Sequence, residues 1–432
     1  MHRLPLVALL LGSGLGGGCI VDDPSYLGTA TTSNGGSTAS SSISGSGMVM
    51  SEDPSGSAGS MNAPTTGTGT GIGTDDTTGC VDPSAAWWDA RWSHRRRLTF
   101  NNLEQAEDLS NFTVLVVLPE DLDDSATAPG GIDLRFVDSD QSAVLDHQIE
   151  RWPTDSGTPT DEHYVWVEVP QIDGRSMDDH IWLYYGNPMA TDTQDPAGSW
   201  DDSYVGVWHL EESAGTHQDS ATGITCNWEG SGRGSQDAPG WIAGAVDFDG
   251  DEDNIDCGVN QIADAEYHTI TTWVRLDLIG DNHQQIVNVE STDDPYRGIG
   301  LYVRRQSGAI GMWLDSNYHY TMVPENRVTV GEWSFLAIRG RQATSEGYLE
   351  VSHNGGPWDT IFEGNTNNLR VENGTSLIIG KWHGPGPSAS TQGIIDEVRI
   401  SNVARSNDWI RAQYLSDTQQ LVSIGDTQTL CR

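Results

Sequence analysis

The stretch Gly393-Ile394-Ile395-Asp396-Glu397-Val398-Arg399-Ile400-Ser401-Asn402-Val403-Ala404-Arg405 decides the fold. Its Ile394, Ile395, Val398 and Ile400 are β-branched, and such side chains pack well on a pleated surface. The segment behind it, Ser406 to Tyr414, opens on a Ser/Asn/Asp cap and reads as a short amphipathic helix. A strand this late in a chain of short strands must pair with something much earlier, so it is expected to close a β-sandwich.

Working outward, Val205 to Leu210, Ala243 to Phe248, Asn254 to Cys257, Thr269 to Leu276, Gly331 to Ile338, Tyr348 to His353 and Ser376 to Gly380 read as strands. Asp219-Ser220-Ala221-Thr222-Gly223 reads as a turn in which Asp bonds its own backbone. Gly206-Val207-Trp208-His209-Leu210 and the closing stretch together resemble the two ends of a laminin-G-like, concanavalin A-like jelly roll, assigned to residues 199–432. Many such domains hold calcium, and within this span Asp249, Asp251 and Asp253 alternate around Gly250, a pattern able to offer several oxygens to a hard cation. An EF-hand would need a carboxylate at position twelve, where Asn260 stands, so the calcium expectation rests on the loop alone. The alternative is a solvated acidic hairpin.

Sugar recognition uses flat aromatic faces with polar neighbours, and Trp313, Tyr318, Tyr320, Trp358, Trp382 and His383 are read as loop residues of that type. Trp382 and His383 are the ligand-binding candidates, because Lys381-Trp382-His383-Gly384-Pro385-Gly386-Pro387 reads as an exposed loop. A tryptophan in a sandwich serves more often as core than as platform.

Upstream, strands are expected at Phe112 to Leu118, Ile132 to Val137, His147 to Trp152, Tyr164 to Val169 and Ile181 to Tyr185, a second and smaller antiparallel sandwich over residues 81–198. Trp88, Trp92, Ser93 and Arg95-Arg96-Arg97, then Asp133-Leu134-Arg135-Phe136-Val137-Asp138, then Tyr184-Tyr185-Gly186-Asn187-Pro188 resemble, in order, the domain of unknown function 2341. That resemblance implies a fold and a setting rather than a chemistry. The three arginines are read as a solvated strand edge with acidic neighbours. The fold class expected for the whole is all-β, two antiparallel β-sandwich or jelly-roll domains behind a disordered linker.

At the N-terminus, Leu4 to Leu11 is an apolar run too short to span a bilayer but suited to a signal peptide. The small residues before Cys19 resemble a bacterial lipobox, which implies a leader over residues 1–19, a lipidated Cys19 and placement at the outer membrane or cell surface. An ordinary signal peptide followed by an unrelated cysteine is the alternative. Residues 20–80 are rich in Gly, Ser and Thr and cannot bury enough apolar surface to offset ordering, so they are read as a disordered tether of on the order of 40 Å.

The chain carries 22 basic against 62 acidic residues, a net charge of −40. That excludes nucleic acid, which needs clustered Lys and Arg, and membrane contact by charge, which leaves the lipid anchor as the route to a bilayer. Sixteen Trp beside 50 Gly suit an extracellular all-β protein. With Cys19 given to lipid, Cys80, Cys226, Cys257 and Cys431 allow three connectivities, and oxidation is favoured on export. Cys226 and Cys257 lie on strands able to be neighbours, and Cys80 and Cys431 bracket the folded region, so these two pairs are expected.

No catalytic pattern stands out. The Glu-x-Asp-x-x-Glu strand of family-16-type glycanases, a Gly-x-Ser-x-Gly elbow and His-Glu-x-x-His are all missing, and His147-Gln148-Ile149-Glu150 is a weak motif. The expectation is therefore a non-enzymatic, surface-anchored module for glycan or another extracellular polymer. A structural adhesin with protein partners and a divergent polysaccharide hydrolase are the alternatives.

Overall fold

The structure, a computed structural model, describes residues 80–431 apart from 83–85, 119–121, 123–125, 153–161, 231–233, 260–264, 292–296, 316–318, 323–326, 367–374 and 383–389. The leader, Cys19, almost all of the tether (to residue 79) and His383 lie outside the described residues. Described residues fall in one compact unit, Thr70–Arg432, and its sheets are antiparallel throughout.

The closing stretch forms the strand Gln392–Ser401. It lies between Gly244–Asp249 and Tyr267–Leu276 in an eight-stranded sheet that continues through Trp333–Arg341, Gly347–His353 and Asp359–Gly364. Its far half also pairs with Tyr204–Trp208, with Val398 opposite Trp208 and Ile400 opposite Gly206. Ile395, Val398 and Ile400 point with Ile270, Val274, Leu336 and Ile338 into a core shared with the facing eight-stranded sheet, which supplies Ile255, Val287, Leu301 and Ile379. This is the jelly roll. Asp219 bonds as expected, accepting from the Val207 and Ala221 amides at 2.7 and 2.9 Å. Trp313 and Tyr320 were expected in loops. They stand instead in the strands Ile310–Asp315 and His319–Met322, because alternation carries the ladder further than the turn signals implied.

The upstream sandwich pairs a six-stranded sheet with the three-stranded sheet of Leu109–Leu118, His163–Ile172 and His147–Arg151. Leu98, Phe100, Phe136 and Leu183 share its core with Val114, Val116, Val165 and Val167. Of the arginine run only Arg97 is exposed, and its strand is not an edge. His94–Phe100 is an inner strand, and Arg95 and Arg96 are only 4% and 3% exposed. Arg95 lies against the Trp182 and Trp87 rings at 4.0 and 4.6 Å, so aromatic faces rather than acidic neighbours receive its charge.

The helix Asn407–Asp417 is capped by Ser406, whose hydroxyl accepts from the Trp409 amide. It docks Trp409 on Phe112 of the first sandwich at 4.9 Å, edge to face, and the chain then returns to that sandwich. Val422–Ile424 and Gln428–Thr429 both pair with His94–Phe100, so the last strands of the span 199–432 complete the first sheet. Both expected disulfides are formed, Cys80–Cys431 and Cys226–Cys257. Among the described residues no helix is long and apolar enough to cross a membrane.

Candidate functional site

Two places bring chemistry together, one on the second sandwich and one where the two sandwiches meet. The first is the outward face of the sheet built on Gln392–Ser401. Register puts Ser235, Asp247, Ile394, Arg275 and Trp333 in one row across five adjacent strands. Neighbouring strands lie about 4.8 Å apart, so the row runs for roughly 19 Å. Arg275 stands 5.7 Å over the Trp333 ring. Burial raises the pKa of Asp247 above the ordinary carboxylate value, and the charge of Asp277 adds to it while Arg275 opposes it. Beside the row, Trp241 is 36% exposed and stacks on the buried Trp273, with centroids 4.3 Å apart and planes 12° from parallel. Trp333 meets Trp241 edge-on at 6.4 Å.

The sequence holds Trp241 in place by three bonds. Asp396 Oδ2 accepts from the Trp241 and Ile242 amides at 2.7 and 3.0 Å, and the indole N–H donates to the Asp417 carbonyl at 3.0 Å. An indole fixed by stacking and by its own N–H presents its free face without loss of side-chain entropy. An aromatic face beside a guanidinium and a carboxylate can receive the apolar side of a sugar ring and bond its hydroxyls.

The second place is a buried charge cluster where the two sandwiches meet. Glu150 comes from His147–Arg151, His209 directly follows Tyr204–Trp208, and Glu397 lies in the closing strand. Their side chains are 0%, 5% and 0% exposed. His209 Nδ1 is 2.8 Å from Glu397 Oε1 and 3.5 Å from Glu150 Oε2. A bulge opposite Thr271–Trp273 gives Glu397 a φ of +51°. It sets the two adjacent acids Asp396 and Glu397 on the outward face, whereas strict alternation would send one into the core. Arg399 bonds Glu397 at 2.6 Å and Asp417 at 3.2 Å, and lies 4.6 Å from the Trp166 ring.

Burial pushes the pKa of Glu150 well above the carboxylate range, with the charges of Glu397, Glu211 and Asp396 adding to it. Burial acts the same way on Glu397, but His209 and Arg399 outweigh it and hold that group below its ordinary value. Asp417 is raised to about 6 by burial against the pull of Arg399.

The acidic loop is engaged locally. Asp249 Oδ1 accepts from the Asp251 amide at 2.8 Å, and the buried Asp253 accepts from the Asp249 amide at 3.2 Å. Among the described residues, the three-membered group of possible metal ligands is Glu150, His209 and Glu397, not these aspartates. Trp382 is half-buried beside the bridge between Lys381 and Ser390. Sequence reasoning met Glu150 only in a weak motif and passed over Trp241, which sits in no periodic segment. The one signal for Trp241 was its place in Pro239-Gly240-Trp241, a turn dipeptide followed by an indole.

Solved structures resembling the chain include domain 4 of an extracellular GH43 arabinanase from Geobacillus stearothermophilus in complex with arabinotriose, at 18% identity and TM-score 0.37, covering 48% of this chain and 97% of that one. A Trypanosoma rangeli sialidase complex matches at 11% identity and TM-score 0.40, covering 61% and 42%. The binding domain of a botulinum neurotoxin of serotype D/C matches at 14% and 0.39, covering 50% and 52%. No curated protein matches the chain. Residues 130–229 match the domain of unknown function DUF2341, and residues 249–411 after them match the concanavalin A-like lectin/glucanases superfamily.

Proposed function

We propose that the protein is an exported binding module, anchored at the cell surface through Cys19, that recognises a glycan or similar extracellular polymer on the outward face of its concanavalin A-like segment. The observation that carries this reading is Trp241, 36% exposed yet fixed by its stack on Trp273 beside Trp333 and Arg275. Membership of its segment in a lectin/glucanase superfamily supports the ligand class. Two disulfides suit an oxidising compartment.

The reading is binding without turnover. Glycosidic cleavage needs two carboxyl groups that reach the scissile bond. The carboxylates gathered around His209 are closed to a polymer, with Glu150 and Glu397 side chains at 0% exposure. The test is a glycan array on the full chain, with Trp241→Ala and Trp382→Ala alongside and a turnover assay on every glycan retained. Retention lost in Trp241→Ala and kept in Trp382→Ala supports the outward face. Loss only in Trp382→Ala moves the site to that loop, and product release overturns the non-enzymatic part. Extraction of the protein with the detergent phase, abolished by Cys19→Ser, tests the anchor.

A further inference from the structure

We propose that Glu150, His209 and Glu397 form a site for one divalent transition-metal ion, Zn²⁺ or Mn²⁺, that bridges the two sandwiches. One donor atom from each of the three lies within 4.8 Å of the others. Ligand bonds of about 2.0–2.2 Å put the donor atoms of a tetrahedral set about 3.4 Å apart. His209 Nδ1 stands 3.5 Å from Glu150 Oε2, a spacing of that order, and 2.8 Å from Glu397 Oε1, a hydrogen bond that a bound ion would replace.

An unmatched atom points to a ligand independently of this cluster geometry. Among the described residues Glu150 Oε1, which is buried, has no hydrogen-bond partner, although Oε2 of the same carboxyl accepts from Trp166 Nε1 at 2.6 Å. A buried carboxylate oxygen left unmatched is costly, and such atoms are rare in folded proteins. A cation would supply the missing partner.

The surroundings are those of a metal site. Each candidate ligand is oriented by an outer group: Trp166 holds Glu150, Gln148 Oε1 lies 3.4 Å from His209 Nε2, and Arg399 holds Glu397. Gln148 is itself tied to Ser220 at 2.9 Å. Charge argues the same way. Glu150, Asp396, Glu397 and Asp417 are all buried here, and Arg399 is the permanent cation that bonds Glu397 and Asp417. A divalent ion offsets two further negative charges in a place where isolated ones are costly. One imidazole with two carboxylates suits zinc or manganese rather than calcium, which takes oxygen ligands.

The experiment uses the full chain, stripped with chelator and titrated with Zn²⁺ or Mn²⁺ by calorimetry, with elemental analysis and the absorption spectrum of the Co²⁺ form. The expected result is one ion per chain and a rise in Tm on addition. Glu150→Gln should weaken binding about 100-fold or more, and Gln148→Ala about 10–100-fold through the loss of an outer partner. If Glu150→Gln does not fold, the wild-type stoichiometry and the Gln148→Ala shift decide. An unchanged Tm with no bound ion overturns the proposal, and so does stoichiometric binding that Glu150→Gln and Gln148→Ala leave intact. The first of these results would mean that protons alone neutralise the cluster.

Discussion

Trp241 lies flat on Trp273 at 4.3 Å, one indole 36% exposed and the other 2% exposed. The pair joins a surface to a core, and the two rings should answer differently to truncation. Trp273 also donates its N–H to Asp417 Oδ2 at 3.0 Å and packs on Phe335. Trp273→Ala should therefore cost about 3–5 kcal/mol, the range for deleting a large core aromatic. Trp241→Ala should cost about 1–2 kcal/mol and abolish glycan retention. Urea midpoints of both variants, read beside their array profiles, check this. A Trp241→Ala variant as unstable as Trp273→Ala would make the outer indole a core residue.

Much of the jelly roll was legible because one strand carried it. The β-branched run at Ile394–Ile400 demanded a distant partner, and Gly206–Trp208 is that partner in register. Gly206 is required there: a Cβ would meet the Trp208 ring at 2.1 Å. Gly206→Ala should lower stability by about 1–3 kcal/mol through overpacking, read as a fall in Tm. Trp208→Leu in the same chain should recover part of the loss by vacating the ring's place.

The charge cluster was not legible, for a physical reason. Glu150, His209 and Glu397 come from segments far apart in the chain, and no periodicity links them. The bulge that turns Glu397 outward leaves no mark in composition, since Glu is not a residue that favours positive φ. The return of Val422–Ile424 to the first sheet was hidden too, because a strand of three residues carries almost no alternation. Burial of Arg95 depended on Trp87 and Trp182, and only the fold brings those rings to it.

The disulfides close loops of very different length, with sequence separations of 351 and 31. In the chain-entropy account, stabilisation grows with the logarithm of the loop, giving about 6 and about 4 kcal/mol. Replacing Cys80 and Cys431 together by Ser should cost the more, and should loosen the strand Gln428–Thr429 that pairs near the bond. Replacing Cys226 and Cys257 should act locally, because the strands that carry them are already paired through Asn227 and Asp256. Denaturant midpoints with proteolysis of the C-terminus distinguish the two; equal losses would show that loop length does not govern here.

Arg399 sits between Glu397 and Asp417 with its side chain 2% exposed. Removing one member of a buried ion network leaves the others uncompensated, so Arg399→Met should cost about 3–5 kcal/mol. Adding Asp417→Asn removes one orphaned charge while keeping an acceptor for the Trp273 N–H. The double variant should therefore be more stable than Arg399→Met alone, as measured by chemical denaturation. A double variant less stable than the single would mean that Asp417 is stabilised mainly by partners other than Arg399.

His268 gives the clearest pH signature. It is buried in Tyr267–Leu276, and burial pushes its imidazole down to about 4 against the partial opposition of the Ala265 backbone. In the unfolded chain it titrates near 6.5. Between those values the unfolded state takes up a proton that the folded state refuses, so the contribution is fully present above about 6.5 and is lost as pH falls towards 4. The loss is at most about 3 kcal/mol. Glu168 works in the opposite sense: burial, with Asp201 and Asp146, raises it to about 7, so it costs stability as pH climbs from its unfolded value towards neutrality. The wild-type curve therefore mixes these with other shifted groups such as His147, Glu211 and Asp417, and the difference between wild type and His268→Gln isolates the histidine. That difference should shift against the wild type on acidification from pH 6.5 to pH 4 and stay flat above 7. Parallel curves over the acid range would mean that His268 keeps its proton in the fold.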